Sequence, residues 1–333
     1  MNVVKPALTV LTDPIPVGRF RLKETFKRVA RPLRDLVKPR PVWLRGTSYR
    51  GHFAVTRSLI EGLRKIGASA NYNPARVAEV GEAVIVLCGI DALRQAVDWK
   101  RQGRIARLLA GPNIFQFPSD HAEVIAGPEV DCCLGPSDWV CRLYESDCPA
   151  LKGRCVAWPA GIDTGYWRPD PDKREPRGVL IFNKHPNGPA RPLVDYVPVL
   201  TRRNYSVSVV TYGSYSPDEF LSKLRRASLM VGFATVSESQ GIAWAEAWSA
   251  DVPTLLWFHD HYTNRGRIFS SSTAPYLCDS TGMFFASVAE FEDSLVRWEK
   301  SRESFHPRQW VLDNMSDEVC ARQLCRLAGI CLP

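Results

Sequence analysis

Residues 231–257, VGFATVSESQGIAWAEAWSADVPTLLW, constrain the fold of this chain more than any other stretch. An apolar run over 229–233 reads as a buried strand of a parallel sheet. A polar turn follows, Ser237-Glu238-Ser239-Gln240-Gly241. The alanine-rich run 242–250 is expected to be a helix, and 253–258 a second apolar strand. A helix that starts just after such a strand offers free N–H groups and a positive dipole end to an anion. Gly241 lets the backbone come close to a ligand. Glu238 precedes the helix and Glu246 lies on it, eight positions later. Carboxylates accept hydrogen bonds from sugar and ribose hydroxyls. Two of them flanking an anion-binding helix start suit a nucleotide-diphosphate sugar. The competing reading is an amphipathic helix with two surface glutamates.

Composition narrows the class. A chain of 333 residues suits two domains, and 45% hydrophobic content supports a sizeable core. No apolar run reaches the roughly 18–20 residues that span a bilayer. The N-terminal residues, MNVVKPALTVLTDPIP, show no basic start or cleavage site of a signal peptide. Ten cysteines are scattered without a C-x-x-C pair, so free thiols of a cytoplasmic protein are expected rather than a metal site or a disulfide framework. Of the net charge of +8, residues 19–40 hold nine Lys/Arg against two acids, a net of +7. A local basic segment of this kind does not make a nucleic-acid binder. Leu22, Phe26, Val29, Leu33 and Leu36 recur there at helical spacing with basic residues between them. Such a helix can lie on an anionic membrane surface, or it can pack on the domain with its charges in water. Pro32 kinks it or starts a second helix.

In chain order, residues 1–18 carry little signal. A strand is expected over 42–45, then the glycine turn Gly46-Thr47-Ser48-Tyr49-Arg50-Gly51, then a helix over 52–66. The glycines form neither G-x-G-x-x-G nor a G-K-[ST] loop, which argues against dinucleotide and P-loop sites. Strands are expected at 83–88 and 105–110, with Asp91 capping the helix between them. The loop Gly111-Pro112-Asn113 and the polar stretch to His121 follow. A strand at 130–134 leads into a helix capped by Ser137, and a strand at 155–158 closes this half. Residues 169–177, PDPDKREPR, read as a linker. A second series then begins with strands at 178–182 and 206–211. Lys184 sits at the end of the first of these, where side chains of an open α/β sheet point toward the ligand crevice. Capping boxes at Ser216 and Ser287 open two helices, and a final helix is expected over 316–331. His259-Asp260-His261 reads as a loop near the donor pocket, because adjacent positions on a strand end point to opposite sides and cannot all reach one ion.

Glu238, Gly241, Glu246, Ala247 and Pro253 together resemble the E-x7-E signature of GT-B glycosyltransferases, in particular the large retaining family 4 group. The usual form is S-x-x-E-x-F-G-x-x-x-x-E-A, with a G-x-P further on. Gln240 here stands in place of the aromatic, and Asp251 in place of the glycine. The run Pro159-Ala160-Gly161-Ile162-Asp163 to Pro169 resembles the family's P-N-G-V-D-x-x-x-F-x-P exit from its N-terminal domain, and Pro136 to Val140 its x-x-S-x-W/F-V segment.

The resemblance implies an α/β protein of GT-B type, two Rossmann-like domains facing a cleft. The expected bounds are a basic N-terminal extension at 1–41, an acceptor domain at 42–168, a donor domain at 178–303 and a C-terminal helical segment at 304–333, which in such enzymes crosses back to the first domain. It implies a nucleotide-sugar glycosyltransferase with Lys184 and Glu238 as catalytic residues. Donor binding would involve Gly46, Lys184, Arg191, Glu238, Gln240, Gly241 and Glu246. Glu246 would hold the ribose, Glu238 and the Gln240–Gly241 backbone the sugar and diphosphate, and Lys184 with Arg191 the diphosphate. Asn113 and His121 would contact sugar or acceptor; a surface histidine is the other reading of His121. The family usually has a further βα unit near 216, which is missing here. No cofactor or metal is expected, since the nucleotide sugar is a co-substrate. The acceptor is an unidentified glycan, lipid or small molecule. A nucleotide-sugar epimerase and a non-catalytic binding protein of the same fold remain open.

Overall fold

The structure is a computed structural model that describes residues 6–13, 51–184, 191–234 and 236–332. They form two compact units, one reaching to Gly161 and rejoined from Asp317 onward, the other comprising Ile162–Ser316. The basic segment 19–40, the strand expected at 42–45 and the Gly46 turn lie outside the described residues.

The first unit is a parallel sheet of β1 (Leu8–Thr12), β2 (Ala70–Tyr72), β3 (Ala83–Cys88), β4 (Arg107–Asn113), β5 (Cys132–Gly135) and β6 (Cys155–Ala157). Their order is β2-β1-β3-β4-β5-β6. The sequence pattern puts residues 1–41 outside the domain, and the structure corrects this. All five residues of β1 are buried, and β1 pairs with β2 on one side and β3 on the other. A five-residue strand broken by two threonines is too short to stand out, yet Thr9 Oγ1 is used, accepting from the N–H of Gly81 at 2.8 Å. The strand expected at 105–110 continues to Asn113, which pairs with Cys88, so Asn113 ends a strand instead of lying in a loop.

Helix α1 (Gly51–Lys65) follows the undescribed segment, and α2 (Ile90–Arg101) joins β3 to β4. Asp91 lies inside the first turn of α2 and does not cap it; Gly89 holds the cap position. The capping carboxylate comes from Asp13 beyond β1, which accepts from the N–H groups of Ala92 (2.9 Å) and Asp91 (3.3 Å). A short helix α3 (Ala122–Ile125) and α4 (Asp138–Asp147) complete the series before the chain leaves the unit. The ten cysteines are free thiols. Burial pushes those of Cys132 and Cys141 up, to about 11 and about 12.

The second unit is a parallel sheet of β7 (Gly178–Asn183), β8 (Ser206–Thr211), β9 (Leu229–Phe233), β10 (Thr254–Trp257) and β13 (Gly282–Phe285), in the order β13-β10-β9-β7-β8. Alternate residues of β7 bury both faces. Val179 and Ile181 pack with Tyr196, Phe233, Phe285, Phe291 and Trp298. Phe182 faces Phe220 and Trp244, with ring centroids 5.3 Å away in both cases. The helices are α5 (Val197–Arg202), α6 (Pro217–Arg226), α7 (Ile242–Ser249), α8 (Val288–Lys300) and α9 (Pro307–Asn314). At both expected capping boxes the serine cap forms, Ser216 Oγ accepting from Glu219 N at 3.1 Å and Ser287 Oγ from Glu290 N at 3.2 Å, while the Glu290 carboxylate accepts from the N–H of Ala286, one residue before the cap.

The expected linker packs as part of this unit. Arg174 donates to the carbonyl oxygens of Ala250 and Asp251, and just before the linker Trp167, expected in the first domain, is buried against Phe220 of this unit. The expected C-terminal segment divides: α9 stays here, with Trp310 edge-on to Trp248, while α10 (Asp317–Leu327) joins the first unit. There Asp317, fully buried, takes a two-pronged pair from Arg57 of α1 at 2.7 and 3.1 Å. The loop expected at His261 is instead a hairpin of β11 (His261–Asn264) and β12 (Arg267–Ser270). Its two-residue turn, Arg265-Gly266, has φ of 51° and 70°, the left-handed pair that suits the twist of a tight hairpin.

Candidate functional site

The chain passes from β7 out to β8, then crosses back over β7 to lay down β9, β10 and β13 toward the opposite edge. Strand order therefore reverses between β7 and β9. In open α/β sheets ligands bind outside the carboxyl ends of the strands at such a reversal. Lys184 directly follows β7, and the turn bearing Glu238 follows β9. Backbone bonds fix both ends: Lys184 N donates to Phe233 O at 3.0 Å, and Tyr212 N, beyond β8, donates to Asn183 O at 2.9 Å.

The structure brings Lys184 and Glu238 together. The Lys184 Nζ forms an ion pair with Glu238 Oε1 and lies 5.0 Å from the Tyr212 ring centre. Glu238 is only 8% exposed. Burial holds its carboxyl above the usual carboxylate range, and the Lys184 ammonium works against that shift. The Glu238 turn is stapled to the chain beyond β12: Glu238 N donates to Ser272 O at 2.9 Å, and the Ser237 and Ser271 hydroxyls meet at 2.6 Å.

Glu246 sits on α7 and is 4% exposed, so neither glutamate is a surface residue, contrary to the competing reading of the sequence. Helix α7 is buried on nearly every side, from Trp244 through Ser249, which draws its one carboxylate inward. The phenols of Tyr166 and Tyr215 are pushed upward chiefly by burial, with Glu246 adding to the effect on both. Tyr166 also donates to Asp218 on α6. Among the described residues the result is a cluster rich in carboxylates and hydroxyls beside the Lys184 ammonium, a setting suited to a ligand with both an anionic group and many hydroxyls.

Gly241 is the residue before α7 and has φ of +81°. A Cβ there would run into the Trp244 indole, so packing as well as backbone conformation requires glycine. Gln240 is 5% exposed, and its amide nitrogen points at the sulfur of Met315, 3.8 Å away. Arg191 is paired with Asp195 at 2.8 Å and is 66% exposed. Asn113 and His121 belong to the first unit, the latter at the end of a short 3-10 turn. Gly46 is outside the described residues. Sequence reasoning did not single out Tyr166, Tyr212, Tyr215 or Asp218. The available signal was position, since Tyr212 immediately follows a strand correctly read as ending at 211.

Among the described residues no group of three or more His, Cys, Asp or Glu could hold a metal ion. The His259 and His261 rings lie 4.2 Å apart, tilted by 44°, with Asp260 3.2 Å from His261 Nδ1. Among the described residues no helix is long and apolar enough to cross a membrane.

Two parallel α/β units, each with this strand reversal, make the fold of GT-B glycosyltransferases. Solved structures of that class share it over nearly the whole chain. A glycosyltransferase from Rickettsia africae ESF-5 gives a TM-score of 0.56 at 9% identity, covering 98% of each chain. Anabaena Alr3699/HepE, solved in complex with UDP-glucose, gives 0.53 at 12% identity, covering 97% of this chain and 99% of that one. The same Anabaena protein with UDP and glucose gives 0.50 at 11% identity, over the same shares. No family model matches the sequence, and no curated protein matches it.

Proposed function

We propose that this protein is a glycosyltransferase that moves a sugar from a nucleotide-diphosphate sugar to an acceptor hydroxyl, in the manner of the retaining family 4 enzymes. The observation that carries the proposal is the placing of Lys184 and Glu238 at the strand reversal of the second unit, with Glu246 on the helix that follows. The solved Anabaena neighbour holds UDP-glucose, which supports a nucleotide-sugar donor here. Glu246 accepts from the ribose hydroxyls and Glu238 from the sugar. The start of α7, where Gly241 offers no side-chain cap, presents backbone N–H groups to the diphosphate. Gly46 and Arg191 complete the donor site, and Asn113 and His121 contact sugar or acceptor.

In the transfer step the bond from the sugar's anomeric carbon to the diphosphate oxygen breaks, and the acceptor oxygen forms a bond to the same carbon. The acceptor's proton passes to the departing phosphate oxygen. Lys184 neutralises the charge that grows on the diphosphate, a role that lowers the barrier most in a water-poor site. With that cation and the helix start at the leaving group, the step needs no metal. The test is nucleotide release from a panel of nucleotide sugars, with glycan and lipid acceptors added in turn. Release that depends on an acceptor and collapses in Lys184→Ala supports the proposal; a folded protein that turns over no donor contradicts it.

A binding protein without turnover is the second reading. It is favoured by Arg191, which is exposed and held by Asp195 instead of joining Lys184. Donor binding without nucleotide release under any acceptor would select it. For the basic segment 19–40 we propose peripheral docking of a cytoplasmic protein on anionic membrane. Deleting residues 1–40 would also remove β1, so the test is charge reversal of Lys27, Arg28, Arg31 and Arg34. Unchanged retention on phosphatidylserine vesicles would sink the idea.

A further inference from the structure

The first unit holds a group of thiols that the donor site does not use. Cys133 on β5 stands directly opposite Cys155 on β6 in the parallel register. Directly opposed positions of a parallel pair point to the same face of the sheet. Neighbouring strands run about 4.8 Å apart, inside the range of about 4.4–6.8 Å between Cα atoms that a disulfide spans. The two side chains already meet, since the Cys133 and Cys155 thiols are hydrogen-bonded to each other. Helix α4 covers this face: a Cβ on Gly135, two residues after Cys133, would run into the Cys141 sulfur. Three thiols therefore lie together under α4, with Cys133 and Cys155 in register.

The sulfurs differ in reach. Cys133 is 1% exposed and Cys141 is buried, whereas Cys155 is half-buried on the strand that ends the sheet. A small reagent in solution therefore meets Cys155 first. The hydrogen bond from Cys155 and burial hold the Cys133 thiol well above the usual thiol range, so its thiolate forms sparingly near neutrality. β6 is three residues long, half-buried throughout and paired on one side only, which lets it move toward β5. A bridge that draws two strands together is strained, and strained bridges are the readily reduced ones.

We propose that Cys133 and Cys155 are a reversible oxidation site, closed to a disulfide by a low-molecular-weight disulfide such as oxidised glutathione. The Cys155 thiolate attacks one sulfur of the reagent, which forms a mixed disulfide and releases one small thiolate. The Cys133 thiolate then attacks the Cys155 sulfur, and the second small thiolate leaves. The protein loses two electrons and two protons, and the reagent is reduced to two thiols. The bridge ties the edge strand to β5 just before the chain leaves the unit. There Trp158, the residue after β6, donates its N–H to Gly135 O at 2.8 Å and its indole N–H to Cys320 O at 2.9 Å. This site is independent of the donor-site reading.

The experiment is a disulfide map of the full chain. Folded protein is held with oxidised glutathione at mildly alkaline pH until the map stops changing, quenched in acid, alkylated in denaturant and digested with trypsin. Cys132, Cys133 and Cys141 fall in one tryptic peptide, residues 108–142, and Cys155 in another, residues 155–173. The expected result is a link between these peptides, placed at Cys133 by fragment masses, with Cys132 and Cys141 alkylated. Dithiothreitol should abolish it, and Cys133→Ser should leave glutathione trapped on Cys155. Amide exchange over 155–157 should slow in the bridged protein. A wild-type Cys155 that stays unmodified, or stops as the mixed disulfide, overturns the proposal. A link from Cys155 to Cys132 or Cys141 overturns it too. Exchange over 155–157 as fast as in the reduced protein would overturn the tie on the edge strand. The wild-type map decides the matter even if the variant does not fold.

Discussion

Both sheets reverse strand order between their first and third strands, and in both the third strand leads into a helix, yet the two helix starts are treated differently. In the first unit Asp13, beyond β1, places its carboxylate on the first N–H groups of α2. Around it, the Thr12 and Tyr72 hydroxyls meet at 2.7 Å, and Asn73 bonds to both backbone groups of Thr12. The polar groups at that reversal satisfy one another. In the second unit the helix start is again a glycine, but the acid beyond β9 is paired with Lys184. The same topology therefore offers an anion-binding helix start twice. The protein fills one with its own carboxylate and equips the other with a cation and two glutamates. Topology makes a ligand crevice available, and a few side chains decide whether it is used.

The largest effect is expected where the second start is built. Gly241→Ala strains a left-handed backbone and drives a methyl into Trp244. Roughly 2–5 kcal/mol of destabilisation should follow from those two costs together, measured by urea unfolding. A stability near that of the wild type would mean that glycine is not required there. Next in size is Lys184→Ala, which should weaken nucleotide-sugar binding roughly 10- to 100-fold, the range for losing a hydrogen bond to a charged group. Calorimetry reads this directly, and unchanged affinity would separate the lysine from the ligand. Asp13→Ala sharpens the contrast from the other side. It should cost about 1 kcal/mol of stability, as lost helix caps do, with nucleotide-sugar affinity unaltered. If affinity fell instead, the first reversal would be part of the ligand site.

The smallest effect is one of pH. The folded pKa of Glu238 is raised, so the folded protein keeps a proton that the unfolded chain has already lost. Its contribution is most favourable below the usual carboxylate range and declines as pH climbs from there through the raised value. Glu238→Gln should therefore gain on the wild type over that window in chemical denaturation curves. A stability difference that does not change with pH would contradict the assignment.

Much of this was legible in the sequence, for reasons that vary by residue. Strands at 83–88 and 206–211 were readable because parallel strands buried on both faces run apolar without a break. The helix starts at Ser216 and Ser287 were readable because a capping box is a local pattern. β1 was missed, since its place in the sheet depends on partners at Ala70 and Ala83, far along the chain. The cap on α2 was misassigned to Asp91 for the same reason: the true carboxylate comes from Asp13, 78 residues earlier. The hairpin was hidden by polar composition, although Asn264-Arg265-Gly266 carried a turn signal. Of the proposed site, Glu238, Gly241 and Glu246 were visible in the motif, and Lys184 was visible from its position directly after a strand. The ion pair between Lys184 and Glu238 was not, because it needs the return of the chain across β7. The tyrosines escaped notice because no spacing rule marks a phenol that faces a carboxylate.

The central claim is that the reversal in the second unit holds a nucleotide-diphosphate sugar. The most direct measurement is a thermal-shift panel of UDP, GDP, ADP, TDP and CDP with their common sugars, run on the wild type and on Glu246→Ala. The expected result is a rise in Tm selective for one nucleotide and lost in the variant, which would also name the base. A folded wild type that shifts with none of them, or a shift that Glu246→Ala leaves intact, would contradict the donor site described for Lys184, Glu238 and Glu246.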